Sequence, residues 1–372
     1  MQLTLPFLPL LLATMGAGYL LPNPPGRYNV TLRTGAIIDY DRESRALMLS
    51  VFQPVTCTST VPVLYMPNET AKHEGSWIQK MFNISVDLTS LLAEARLQVC
   101  SDDNSSCSSL GNTPILLLSP GYRGSRLYYN IIASAIASEG YTVITIDHPG
   151  ETNVIVYPDG HVAYSDLPNP TNIDELTQYA YIRAADASFI IDQLSNATAM
   201  AQFLPQHGPR QFPTDRIAMT GHSLGGAAAV LAAGLDPRIH SVINWDGPFF
   251  GALPSSGISQ PVLYVATERE DDPRMLGVWP ELNGPKLWIK VAGLLHEGML
   301  DFSSLFQTSG QNTKAFETLL GTISPTQSTG IMSTYTTEWM NGCFVGEMGG
   351  SLLQGPDADR FPEVATLKKD NF

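Results

Sequence analysis

Residues 216–236, "RIAMTGHSLGGAAAVLAAGLD", decide how the chain is read. A short apolar run leads into Gly221-His222-Ser223-Leu224-Gly225, and an alanine-rich run leads out. Glycines flanking a serine relieve the crowding of a sharp strand-to-helix turn and expose the hydroxyl. The five-residue pattern alone is weak, because chance supplies it in roughly one chain in ten of this length. Its setting carries the argument: a buried strand before it and a helix after it are what a nucleophile elbow requires.

The same rhythm extends outward. Upstream, "PILLLSPGYRGSR" reads as a buried strand ending in a Pro-Gly turn, and "LYYNIIASAIASEG" as a helix closed by Gly140. "YTVITIDHPG" is a second buried strand, and "ELTQYAYIRAADASFIIDQLS" a long amphipathic helix. Downstream, "IHSVINWDGPFFG", "PVLYVATERE" and "KLWIKVAGLLH" are apolar runs that stop at polar residues. Strands alternating with helices predict an α/β fold, a mostly parallel twisted sheet with helices on both faces. Two further strands are expected in "YNVTLRTGAIIDY" and "ALMLSVFQPV", and residues 57–112 read as polar and irregular, with one helix in "LTSLLAEARLQ". No repeat or linker divides the chain, so residues 19–372 are expected to form one domain.

The 372 residues carry a formal charge of −14, which argues against nucleic acid or an anionic membrane as an electrostatic partner. Residues 1–18 combine a short apolar run with small residues before a proline-rich break, and read as a signal peptide for secretion. Cys57, Cys100, Cys107 and Cys343 suit an exported protein with disulfides, and the pairing of Cys100 with Cys107 across a short polar loop is favoured. Glycosylation sequons stand at Asn29, Asn68, Asn83, Asn104 and Asn196.

A serine hydroxyl attacks only when a base takes its proton and a carboxylate orients that base. Among seven histidines, His296 follows the last strongly apolar strand, where an α/β-hydrolase fold delivers its base, and it keeps the chain order Ser, acid, His. His222 is read as packing and His148 as a satisfied strand-end histidine. His73, His161, His207 and His240 are expected in solvent. Three positions compete for the acid: Asp246 at the end of the strand after the elbow helix, the cluster Glu268, Glu270, Asp271 and Asp272, and Asp236. The common hydrolase arrangement favours the cluster.

The stretches "LLLSPGYRGSR", "VITIDHPGETNVIVYPDG", "GHSLGGAAA", "NWDGPFFG" and "HEGMLDF" resemble the platelet-activating factor acetylhydrolase family, particularly its secreted fungal-type members, within the α/β-hydrolase superfamily. The resemblance spans about residues 114–302, and "GTISP" and "GPDADRFPEV" extend it toward the C-terminus. It implies Ser223 as nucleophile, Asp246 as acid, and His296 as base within a His-x4-Asp-Phe pattern completed by Asp301 and Phe302. It also implies an oxyanion hole formed by the backbone N–H groups of Leu224 and Tyr122.

The implied activity is cofactor-free and metal-free hydrolysis of a short sn-2 acyl ester on a glycerophospholipid, with transient contact at a lipid surface. A general secreted carboxylesterase or lipase acting on small or polymeric esters is the alternative, because fold and triad leave the substrate open. Phe249, Phe250, Leu300 and Phe302 either grip lipid at the site mouth or are ordinary core.

Overall fold

The computed structural model describes residues 18–101, 108–165, 172–204, 211–267 and 271–372. The expected leader, Cys107 and Asn104 therefore lie wholly or almost wholly outside the described residues, as do His207, Glu268 and Glu270. Two antiparallel strands, β1 (Asn29–Asp39) and β2 (Arg45–Thr56), form where the opening β-branched runs predict them. The alternating segment then supplies β3 (Ile115–Ser119), β4 (Thr142–Asp147), β5 (Ile217–His222), β6 (Ser241–Trp245), β7 (Val262–Ala266) and β8 (Lys286–Val291). A last strand, β9 (Val364–Asp370), returns along β8.

These strands lie in the order β1-β2-β4-β3-β5-β6-β7-β8-β9, and a two-residue strand at Ser108–Ser109 pairs with the end of β2. The six inner strands, from β4 across to β8, are all parallel. Antiparallel pairs occupy the flanks. The inner strands are apolar at nearly every position because both faces of the sheet are covered. Successive residues still divide by face. Leu116, Leu118, Ala218, Ile243 and Leu263 join one core, whereas Ile115, Leu117, Ile217, Met219 and Val242 join the other. Each fully buried Leu or Ile stabilises the fold by roughly 1.5–3 kcal/mol, so neither layer is dispensable.

The first core is covered by helices that include α1 (Asn68–Met81), α2 (Leu88–Glu94), α3 (Asn130–Ser138) and, far downstream, a long helix at Pro325–Val345. The second core is closed by α4 (Ile173–Leu194) and α5 (Leu224–Leu235). Helix α5 is buried from Leu224 to Ala233, which explains why its sequence is apolar on every side. Helix α1 departs from the irregular segment expected there. Its buried side holds Thr70, Glu74 and Gly75 beside Ala71 and Ile78, so a hydrophobic period is hard to see in the sequence.

The expected disulfide is corrected. Cys57 bonds to Cys100, with Cα atoms 6.2 Å apart. Strands Thr60–Leu64 and Arg96–Cys100 pair antiparallel with Thr60 opposite Cys100, and this long-range register brings Cys57 alongside. Sequence proximity to Cys107 gave no sign of it. Cys343 is a free thiol. No described helix is long and apolar enough to cross a membrane.

The bond closes a loop with a sequence separation of 43 residues. In the chain-entropy account such a crosslink contributes about 4 kcal/mol. Replacing Cys57 and Cys100 together by Ser should therefore lower the denaturant-measured unfolding free energy by about 2–4 kcal/mol. Non-reducing peptide mapping should recover Cys57 joined to Cys100.

Candidate active site

Ser223 occupies the turn between β5 and α5 with φ 55° and ψ −122°. An L-residue holds such a conformation at a cost of about 1–3 kcal/mol. The turn can close because its neighbours lack side chains: a Cβ on Gly225 would lie 2.1 Å from the Ser119 carbonyl oxygen, and one on Gly221 2.2 Å from the Gly225 carbonyl carbon. Arg123 (φ 59°) and Asp246 (φ 52°) are also non-glycine residues with positive φ. Three of the seven such residues among those described thus stand beyond the ends of β3, β5 and β6.

Asp246 directly follows β6 and is fully buried. Its Oδ1 accepts the Thr267 N–H at 3.0 Å, and its Oδ2 accepts the Thr267 hydroxyl at 3.0 Å. Oδ2 also lies 2.6 Å from His296 Nδ1. His296 begins a short 3-10 turn, His296–Met299, in the loop after β8, and keeps 21% of its side chain exposed. A carboxylate against Nδ1 fixes the proton there, so the lone pair of neutral imidazole lies on Nε2. Ser223 Oγ makes no hydrogen bond to His296 in this structure; such bonds often tighten only when substrate binds.

Two of the competing acids that are described serve other purposes. Asp272 accepts the N–H groups of Arg274 and Met275, capping the helix Pro273–Val278. Asp271 is exposed. Asp236 is bound by Arg238. The residue directly after β7, Thr267, is a donor to Asp246.

The turn after β3 presses on the elbow. A Cβ on Gly121 would lie 3.6 Å from Ser223 Cβ. Buried Arg183, from α4, grips this turn: Nη1 donates to the Pro120 carbonyl and to Ser119 Oγ (3.1 Å), and Nη2 donates to the Gly121 carbonyl (3.0 Å). Glu151 neutralises the guanidinium, accepting from Nε at 2.9 Å and from Nη2. No cis peptide is present among the described residues. The Tyr122 N–H, trans to the Gly121 carbonyl, therefore points away from Arg183. Leu224 opens α5, where first-turn N–H groups have no acceptor within the helix.

His148 is fully buried and bonded on both nitrogens, at 2.8 Å to Asp186 and 2.9 Å to Ser119 Oγ. Burial pushes its pKa down against the pull of Asp186. Burial raises Asp186 in turn, yet hydrogen bonds from Arg45 and His148 outweigh it and hold the carboxyl well below the usual range. His148 is thus the satisfied strand-end histidine expected.

His222 differs from expectation. Its ring centroid lies 4.4 Å from that of His296, and both ring nitrogens have polar partners. His161 and His240 are exposed, whereas His73 is half-buried against Tyr164. Of the apolar candidates for the site mouth, Phe250, Leu300 and Phe302 are core residues, and only Phe249 is partly exposed.

Three supporting residues escaped the sequence reading. Arg183 and Asp186 stand three apart on the buried side of α4, and charge on the apolar side of an amphipathic helix was the available signal. Glu74 of α1 is fully buried, its Oε2 accepting the Tyr128 hydroxyl (2.5 Å) and Asn153 Nδ2 (3.2 Å). Asn153 in turn accepts Arg123 Nε at 2.6 Å, linking Glu74 to the turn beside the elbow. Burial pushes Glu74 up to about 7, against the opposing hydrogen bonds.

The family described as platelet-activating factor acetylhydrolase, isoform II, matches residues 14–180, a segment that ends before Ser223. A probable 1-alkyl-2-acetylglycerophosphocholine esterase of Arthroderma benhamiae is 28% identical over 386 residues, covering 95% of this chain and 95% of that protein. The platelet-activating factor acetylhydrolase of Canis lupus familiaris is 26% identical over 237 residues, covering 56% of this chain and 52% of its own length. Among solved structures, a ferulic acid esterase from Streptomyces cinnamoneus superposes with a TM-score of 0.77 over 95% of this chain and 100% of that one. Its sequence identity is 24%, so that likeness is one of fold, the α/β-hydrolase fold.

Burial of the Glu74 carboxyl couples folding to pH. The folded chain holds a proton there that the unfolded chain releases near pH 4.3. The resulting stability is complete below that pH and is lost as pH rises through about 7. Denaturant midpoints should fall between pH 5 and pH 8, and Glu74→Gln, neutral throughout, should flatten the fall; an unchanged slope would mean that Glu74 ionises normally.

Proposed function

We propose that this relative of the platelet-activating factor acetylhydrolase family is a secreted serine ester hydrolase that removes a short sn-2 acyl group from glycerophospholipids resembling platelet-activating factor. The observation that carries the reading is the 2.6 Å contact between His296 Nδ1 and Asp246 Oδ2 beside the strained elbow of Ser223. Ser223 Oγ attacks the ester carbonyl while His296 Nε2 takes its proton. Asp246 holds the imidazole in the required tautomer and stabilises the imidazolium that forms.

The carbonyl oxygen becomes an oxyanion facing the N–H groups of Leu224 and Tyr122, each contributing about 3 kcal/mol in a dry site. His296 then protonates the departing alcohol, leaving the acyl group on Ser223. Water attacks that acyl-enzyme with His296 again as base, releasing the short acid and restoring the hydroxyl. Every step uses side chains and backbone of this chain.

Secretion is supported by the Cys57–Cys100 disulfide, since such bonds persist in oxidising compartments. The sequon residues Asn29, Asn68, Asn83 and Asn196 are all exposed, as glycan attachment requires. A second reading, a general secreted carboxylesterase of small or polymeric esters, is favoured by the burial of Phe250, Leu300 and Phe302, which removes three residues from any lipid-gripping surface.

Ser223→Ala should abolish turnover without altering the fold, as followed by circular dichroism. Asp246→Asn should lower kcat by about 10⁴-fold, whereas Asp271→Asn should leave it nearly unchanged; the reverse outcome would move the acid to the chain after β7. Substrate class is tested by rates on a short-chain sn-2 phospholipid, a long-chain phospholipid and a simple acetyl ester. Preference for the first is expected, and activity on the acetyl ester alone would select the second reading.

A further inference from the structure

Between the turn at Gly121 and the loop carrying His296 runs a chain of three hydrogen bonds. The Gly121 N–H donates to Tyr129 Oη at 3.0 Å, Tyr129 Oη lies 3.0 Å from His222 Nδ1, and His222 Nε2 lies 3.1 Å from the His296 carbonyl oxygen. A carbonyl can only accept, so Nε2 carries a proton and donates. In neutral imidazole Nδ1 is then an acceptor, and the hydrogen that reaches it is the phenol's. Tyr129 Oη thereby accepts from one side of the site and donates to the other.

Both residues are enclosed, Tyr129 at 0% and His222 at 2% exposure, so water does not compete for these bonds. Burial keeps the phenol far above its usual pKa, and it stays a donor at every working pH. The contacts are tight as well as directional: a Cβ on Gly121 would meet His222 Nδ1 at 3.1 Å, and the His222 ring lies against His296. Tyr129 is itself anchored from the far side. Asp301 Oδ2 accepts the N–H of Ile131, two residues beyond Tyr129, at 2.8 Å, and Asp301 follows His296 by five residues.

We infer that Tyr129 and His222 are positioning residues, forming a tautomer-locked strut that sets the spacing between the oxyanion side of the site and its base. The inference rests on the ester hydrolysis proposed above. In that chemistry the turn at Gly121–Tyr122 and the His296 ring act on one reacting centre from opposite sides. A misplacement of about 1 Å between such groups costs about 10²-fold in rate. The strut spans the two elements directly, independently of the Arg183 grip on the same turn.

Three variants separate its links. Tyr129→Phe removes both bonds made by the phenol and keeps the ring. His222→Gln keeps a donor for the His296 carbonyl and lacks the Nδ1 acceptor, whereas His222→Asn does the opposite. With p-nitrophenyl acetate, each should lower kcat by about 10–100-fold, in the range of a lost oxyanion donor or less, with KM changed less than about twofold and far-UV circular dichroism preserved. Because the links are in series, Tyr129→Phe combined with His222→Gln should lose no more than Tyr129→Phe alone.

Independently of turnover, ¹⁵N imidazole shifts should show His222 protonated on Nε2 and bare on Nδ1. A Tyr129→Phe variant within twofold of the parent in kcat, or a His222 proton on Nδ1, would overturn the strut. A parent protein that hydrolyses no ester would defeat the proposed reaction instead, and the His222 tautomer would then decide the strut alone.

Discussion

Backbone packed directly on backbone, where the start of α5 meets the end of β3, is the constraint on which the rest of the site depends. The absence of a side chain at Gly225 lets the elbow lie against the Ser119 carbonyl, and Gly226 sits so close to Asn244 that a Cβ would fall 2.0 Å from its side-chain oxygen. That approach places the ends of three adjacent parallel strands, β3, β5 and β6, within one small volume. The turn after the first, Ser223 on the second and Asp246 after the third are neighbours because the strands are neighbours. Any side chain at Gly225 would separate the layers and with them these three neighbours.

Beneath this junction the protein buries charge as well as hydrocarbon. Arg183 with Glu151, Arg126 with Asp147, and Asp186 with His148 are all nearly or wholly excluded from solvent. Buried ion pairs add little net stability, since desolvation offsets most of their attraction. What they add here is direction. Arg183 accounts for the carbonyls of Pro120 and Gly121, and Asp147 accepts the Arg126 N–H at 2.7 Å just ahead of α3. Loops that could otherwise adopt several turns are each held in one.

The parallel core was legible in the sequence because its strands are short apolar runs punctuated by glycine, proline and charge, and the elbow was legible because its glycines have a steric purpose. His296 could be singled out by its place after the last apolar run. The pairing of Asp246 with His296 was less legible from spacing alone: carboxylates follow two successive strands, and a linear sequence does not show that Thr267, just after the second, turns its donors toward Asp246 after the first. Helix α1 was hidden by its polar buried side, and the helix at Pro325–Val345 by a mixture of Ser, Thr and aromatic residues that hides a clear apolar stripe. The disulfide was misread because a bond across a sequence separation of 43 residues, set by distant strand pairing, leaves no local mark. The polar partners of His222 were hidden for a related reason, since they come from segments 93 and 74 residues away.

The Cys57–Cys100 bond also changes what a cut in the chain would do. Everything between the two cysteines, including α1 with its buried Glu74 and α2, belongs to one covalent ring that rests on the same core as α3. A protease that severs a single peptide bond in this ring produces no separable fragment. The new ends stay tethered through sulfur, and the packing of Glu74 on Tyr128 can re-form without a search through solution. The layer covering this side of the sheet is therefore resistant to loss by nicking, as an unlinked layer would not be.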